Sequence, residues 1–171
     1  MVLEKPENSI DMLEFIKAYG ALSYSAAVRV VKQLARSSVL HHQAGVHHRD
    51  LKDENILFNP FNGSCKIIDF GCASVACDRV SSFVGTDEYA PPEFLNANAD
   101  SSFDADSVIV YSIGCILFKM ITASDPFKAG VAFDFQRHVQ LSPTLSKEER
   151  TLLAALLCPD PSSRASLADL I

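Results

Sequence analysis

Residues 47–57 read HHRDLKDENIL: acids, bases, an amide and two histidines crowded together, then an abrupt turn to apolar residues. The apolar end continues as NILFNPFNGSCKIID (55–69), a pattern that predicts a β-hairpin with Asn62-Gly63 in its turn. A turn centred near Asn62 makes cross-strand partners sum to about 124–125, which sets Asn55 opposite Asp69 to within one residue. The hairpin therefore brings an amide and a carboxylate together at its open end, beside the loop that carries Asp50 and Lys52. Oxygen ligands so arranged can hold a divalent cation.

Working outward, SIDMLEFIKAYG (9–20) predicts a short amphipathic helix closed by Gly20. SAAVRVVKQLARSSVLHH (25–42) predicts a longer one, with Val28, Val31 and Ala35 on one stripe and Arg29, Lys32, Gln33 and Arg36 elsewhere. VIVYSIGCILFKMI (108–121) is uniformly apolar. It falls short of the ~20 residues that a bilayer requires, and reads as a helix buried on nearly every face. SKEE (146–149) is a capping box for a helix to about 157, and SLAD (166–169) opens another. Residues 70–92 are expected to be irregular. Asp104 and Asp106 are expected to cap the helix that follows them.

The chain has 171 residues, enough for one domain able to bury ~70 % of its extended-chain surface. A net charge of −6 without a Lys/Arg run argues against a nucleic-acid partner and is compatible with a basic peptide. Five cysteines without a CxxC pair, and no signal-like start, are expected to be reduced thiols in a reducing compartment. His41, His42, His47 and His48 lack a Cys or a further His at zinc spacing, and read as packed or solvated side chains. Cys72 reads as a small buried apolar residue.

HRDLKDEN (48–55), DFG (69–71) and GTDEYAPPE (85–93) stand in the order and spacing of a eukaryotic protein kinase, which the chain resembles over nearly its whole length. The resemblance implies a mainly α fold with a small β-hairpin: a kinase C-terminal lobe without most of the N-terminal lobe. Residues 1–171 would form a partial kinase domain made of hinge, catalytic loop, activation segment and C-lobe helices. No Gly-rich phosphate loop, V-A-I-K lysine or αC glutamate is found in the chain.

Further implications come residue by residue. Asp50 resembles the base that accepts the substrate hydroxyl proton, and Lys52 the lysine that steadies the transferred phosphoryl group. Thr86 resembles the threonine that braces both. Asn55 and Asp69 resemble the Mg²⁺ ligands of an ATP site. Arg49 would anchor the loop, His48 and Phe70 would pack in the hydrophobic spine, Gly71 would complete the DFG turn, and Glu93 with Arg164 would form a buried ion pair.

LEKPEN (3–8), KDENIL (52–57) and YAPPE (89–93) are similar to the Pim serine/threonine kinases. Pro6 removes one backbone N–H from the hinge. By this resemblance Leu3 is the gatekeeper, Glu4 lends its carbonyl to adenine, and Asp11 and Leu57 lie against the nucleotide. Asp11, Glu14 and Glu54 would receive arginines of protein substrates with basic residues upstream of the target Ser/Thr. Ile109 stands where most kinases have an aspartate, an absence that the Pim-like pattern shares. The resemblance further implies a monomer without nucleic-acid or membrane partners, cytoplasmic or nuclear, and ATP and Mg²⁺ as cofactors. Without an N-lobe, negligible transfer by the chain alone is expected. The alternative is a non-catalytic, pseudokinase-like binding module with an acidic groove. An aminoglycoside-type phosphotransferase shares the Asp/Asn spacing but is not expected to carry GTDEYAPPE.

Overall fold

A computed structural model describes residues 5–98, 100–128, 130–131, 133–140 and 142–171. Leu3 and Glu4, expected at the adenine edge, lie outside the described residues.

The chain enters through strand β1 (Ile10–Asp11) and turns at once into helix α1 (Met12–Tyr19). Asp11 caps this helix, its carboxylate accepting the Glu14 N–H at 2.8 Å. Gly20 closes it at φ 79°, a backbone conformation that favours glycine. Helix α2 (Tyr24–Gln43) is capped by Ser23 and buries Ala27, Val30, Val31, Leu34, Ala35 and Ser38. Val31 and Ala35 of the expected stripe are among them; Val28 sits at its margin.

Strand β2 (Val46–His47) leads into the loop 48–55, and β3 (Ile56–Phe58) and β4 (Cys65–Ile67) form the hairpin. β3 pairs with β4 on one edge and β1 on the other, a three-stranded sheet where the sequence predicts two strands. The register is Ile56↔Ile67, Leu57↔Lys66 and Phe58↔Cys65, one residue from the expected sum. Asn55 therefore faces Ile68, whose N–H it accepts at 2.9 Å, and Asp69 is the next residue on.

The turn differs for a chemical reason. Asn59 and Ser64 close a four-residue loop, and the Asn59 side-chain oxygen accepts the N–H groups of Phe61 and Asn62. This Asx turn competes with the tighter Asn-Gly turn. Gln33 of α2 holds the hairpin, donating to the Gly63 carbonyl at 2.9 Å and accepting the Cys65 N–H at 3.0 Å.

Beyond 70 the backbone is less irregular than expected. Strand β5 (Ser74–Val75) pairs with β2, and β6 (Arg79–Val80) pairs with β7 (Phe103–Asp104). Helix α3 (Ala105–Thr122) follows, buried continuously from Val110 to Met120. It is long and apolar enough to cross a membrane, and 72 % of it is buried inside the protein. Asp104 caps it, accepting the Ser107 N–H at 2.7 Å. Asp106, in the first turn, does not cap; its Oδ1 is buried without a hydrogen-bond partner.

Helix α4 (Lys147–Leu156) opens on the expected capping box of Ser146 and Glu149. The box at Ser166 and Asp169 starts only a 3₁₀ turn, Ala168–Leu170. α3 packs on α2 and α4. A Cβ on Gly114 would come within 2.8–2.9 Å of Leu156 and Leu157, so glycine sets how closely α3 and α4 approach.

Candidate active site

The loop 48–55 runs between β2 and β3 and is fastened from several sides. Arg49 takes φ 65° and donates from Nε to the Cys72 carbonyl at 2.7 Å, tying the loop to the segment after DFG. The buried His48 ring bonds the Ile68 carbonyl through Nε2 at 2.8 Å and stacks edge-on against Phe70 at 4.7 Å. Phe70 is 42 % exposed, so the far side of this spine is open. Asn55 is buried; its Nδ2 donates to the Asp50 backbone carbonyl at 2.8 Å and to Asp50 Oδ2 at 3.2 Å.

Thr86 arrives from the opposite side of the chain. Its N–H and its hydroxyl both meet Asp50 Oδ1, at 2.9 and 2.8 Å. Lys52 Nζ donates to Thr86 Oγ1 at 2.9 Å and lies 3.4 Å from Asp50 Oδ2 and 3.2 Å from a Glu54 carboxylate oxygen. Burial by itself would raise the Asp50 carboxyl, but the Thr86 hydroxyl and the Lys52 charge outweigh it and hold Asp50 below the ordinary carboxylate range. Burial would lower Lys52; the Glu54 and Asp50 carboxylates reverse that and hold it above its usual value. An ionised aspartate and a protonated lysine thus share one hydroxyl.

Gly85 makes the approach of Thr86 workable. It takes φ 126°, and a Cβ there would lie 2.4 Å from the Arg49 carbonyl oxygen.

Asp69 takes φ 61° and accepts the Gly71 N–H at 3.1 Å, which turns the chain sharply out of β4. The donor set suits magnesium. Both N–H bonds of the Asn55 amide go to Asp50, which leaves its oxygen as the atom able to ligate, and Asp69 is an exposed carboxylate. Asp11 stands directly across from Leu57 in the β1–β3 pairing, so these two expected nucleotide neighbours are brought together. Of the three acids expected to meet arginines, Glu14 is paired with Lys17 at 2.9 Å, Asp11 caps α1, and Glu54 is paired with Lys52.

Glu93 and Arg164 form a two-pronged ion pair, 2.9 Å at each prong, and Arg164 also bonds the Ser107 carbonyl and the Cys158 carbonyl. Its guanidinium lies over the Tyr111 ring at 5.0 Å.

One group of supporting residues escaped sequence reasoning. Lys119, in the last turn of the buried helix α3, donates to the Tyr89 hydroxyl at 2.8 Å; Tyr89 donates to Asp53 Oδ1 at 2.6 Å. Lys119 also lies 3.6 Å from Asp53 Oδ2 and 2.9 Å from Asp125. This network ties the loop to α3 through Asp53, whereas Ile109 offers no acceptor and lines an apolar cavity with His48, Arg49, Leu51 and Phe83. A lone lysine inside an otherwise apolar helix is the signal that could have found it, because a buried ammonium requires a partner.

The protein kinase domain family model matches residues 1–171. The serine/threonine-protein kinase pim-2 of Danio rerio is 33 % identical over 172 residues, a match to 100 % of this chain and 54 % of that protein. Serine/threonine-protein kinase prk-2 of Caenorhabditis elegans is 35 % identical, across 98 % of this chain and 38 % of its own length. Serine/threonine-protein kinase cds1 of Schizosaccharomyces pombe is 40 % identical over 134 residues, 74 % of this chain and 28 % of that protein. The chain thus spans about half the length of pim-2 and less of the others. With the family model matching from the first residue to the last, this chain belongs to the protein kinase domain family.

Proposed function

We propose that the chain is the C-terminal lobe of a Pim-like kinase that transfers the ATP γ-phosphoryl group to Ser/Thr hydroxyls of basic proteins. The observation that carries this is the joint hold of Asp50 and Lys52 on Thr86 Oγ1. Asp50, ionised at neutral pH, accepts the hydroxyl proton of the target side chain. Lys52 offers its positive charge to the oxygens that accumulate negative charge in transfer. Asn55 and Asp69 would hold Mg²⁺, which supplies charge neutralisation on the phosphates when bound. Asp11 on the edge strand β1 and Leu57 opposite it on the central strand β3 would face ribose and adenine. Glu14 and Glu54, both half-exposed and paired with Lys17 and Lys52, would receive substrate arginines by exchanging those lysines.

Positioning contributes ~7–11 kcal/mol in well-oriented reactions. The parts that roof and orient the phosphates, a Gly-rich loop and a strand lysine, have no counterpart in the chain. Transfer by these 171 residues alone is therefore proposed to be negligible. We also propose a monomer of the cytoplasm or nucleus, without nucleic-acid or membrane partners.

The test has two arms. The chain alone, with Mg²⁺-ATP and an Arg-rich Ser peptide, should transfer no more phosphate than a blank. A longer product of the same transcript that carries the phosphate loop and strand lysine should transfer, and Asp69→Asn in it should abolish Mg²⁺-dependent turnover. Wild-type turnover by that variant overturns the metal assignment. A stop codon directly upstream of Met1 in the transcript removes the catalytic reading.

A further inference from the structure

A second cluster of ligating groups shares no residue with the Asn55–Asp69 pair. His42 ends helix α2, His47 ends strand β2, and Asp106 stands in the first turn of α3. One ligating atom from each of the three lies within 4.8 Å of the others. His42 Nδ1 is 3.4 Å from Asp106 Oδ1, and the two imidazole rings are 4.7 Å apart.

What marks this cluster as unfinished is its hydrogen bonding. His47 is 4 % exposed, and its Nε2 is buried without a hydrogen-bond partner; so is Asp106 Oδ1. Buried polar atoms are nearly always satisfied. Among the described residues the only other buried side-chain atom without a bond is Asp53 Oδ2, which lies 3.6 Å from Lys119 much as Asp106 Oδ1 lies 3.4 Å from His42, so His47 Nε2 is the least satisfied atom of the three. At His47 and Asp106 the unmet atoms are both lone-pair donors of the kinds that hold a metal.

We propose that His42, His47 and Asp106 bind one Zn²⁺ ion, a site separate from the Mg²⁺ ligands of phosphoryl transfer. Two imidazoles and one carboxylate are a zinc donor set that leaves a fourth position for water. Tetrahedral bonds of about 2 Å hold donors roughly 3.3 Å apart. The His42–Asp106 separation already meets that, and a rotation of the third side chain closes the set. His42 Nε2, on the side of the ring away from Asp106, lies 3.6 Å from the Asp78 carboxylate. A carboxylate behind a ligating histidine fixes its tautomer and orients the ring. Asp78 and His42 are solvent-accessible, which gives an ion an entry path.

The bound ion would join α2, β2 and α3 behind the loop that carries Asp50. Asp78 adds the segment ahead of β6, where its carbonyl accepts the Ala105 N–H at 3.0 Å. Sequence spacing conceals the site because its third ligand comes from another element and because Asp106 looks like a helix cap.

Co²⁺, which has a visible spectrum, is the probe. The chelator-stripped full chain should take up one equivalent with the strong visible absorption of four-coordinate Co²⁺, and Zn²⁺ should displace it. Zn²⁺ should also raise the thermal unfolding midpoint. Asp106→Asn and His47→Leu should each weaken Co²⁺ binding ~10-fold or more, and Asp69→Asn should leave it unchanged. Should His47→Leu fail to fold, Asp106→Asn at the accessible helix start decides alone. No saturable uptake, undiminished uptake in Asp106→Asn, or a thiolate charge-transfer band that reports cysteine ligation overturns the proposal.

Discussion

Thr86 meets Asp50 twice: backbone N–H and side-chain hydroxyl both converge on the same carboxylate oxygen, at 2.9 and 2.8 Å. The hydroxyl in turn accepts from Lys52 at 2.9 Å, so it relays between an acid and a base that lie 3.4 Å apart. Thr86→Val keeps the shape and the N–H bond but removes the relay. The Asp50 carboxyl should then titrate higher than in the wild type, as read by carbon NMR of the carboxyl group. The sign for stability follows from the depressed value. Asp50 contributes fully above the ordinary carboxylate value of ~3.9 and loses that contribution as pH falls through its folded value. The stability gap between the wild type and Thr86→Val, measured by urea titration, should therefore close on acidification below about pH 4.

Gly85 is predicted to tolerate no side chain. At φ 126° a Cβ meets the Arg49 carbonyl oxygen at 2.4 Å, and backbone cannot step aside as a flexible side chain can. Gly85→Ala should destabilise the chain by about 2–3 kcal/mol, the range of strain at a disfavoured φ combined with a forced shift. Amide exchange should report the damage at Arg49, Asp50 and Thr86, with α4 unaffected.

The Glu93–Arg164 pair is buried on both sides, Arg164 entirely and Glu93 to 7 % side-chain exposure. Breaking such a pair leaves a charge without its partner, which costs ~3–5 kcal/mol. Glu93→Ala should lower the urea midpoint accordingly. Arg164→Met, which strands the Glu93 carboxylate and also leaves the Ser107 and Cys158 carbonyls without that donor, should cost at least as much as Glu93→Ala.

Much of this was legible in the sequence because it is local. Ser146 and Gly20 act within one helical turn, and the hairpin register was readable to one residue. HRD, DFG and APPE, at 48–50, 69–71 and 90–93, marked the site residues because each is a contiguous string. What stayed hidden is what several elements assemble jointly. The Asn59 side chain outcompeted the Asn62-Gly63 turn through a bond that apolar patterning does not encode. The third strand, Ile10–Asp11, is two residues long and reads as the start of a helix. Asp104 and Asp106 are indistinguishable as caps until the burial of each is known.

The least legible support is also the most testable. Ile109 leaves the loop without the acid that most kinases place there, and Lys119 reaches the loop instead by way of Tyr89 and Asp53. Burial, together with the neighbouring Asp53 charge, pushes the Tyr89 hydroxyl far above its usual value, so it stays protonated and can donate to Asp53 while accepting from Lys119. Lys119→Met fits the apolar surroundings but leaves Asp53, 2 % exposed, as an unpaired buried charge. The loss should be ~3–5 kcal/mol by urea unfolding. Asp53→Asn added to that variant removes the stranded charge and should restore part of the loss. A double-mutant cycle should therefore give a coupling energy between the two positions of ~1 kcal/mol or more. If the two losses instead simply add, Lys119 fills space in α3 without holding the loop, and the bonds of His48, Arg49, Asn55 and Thr86 secure it.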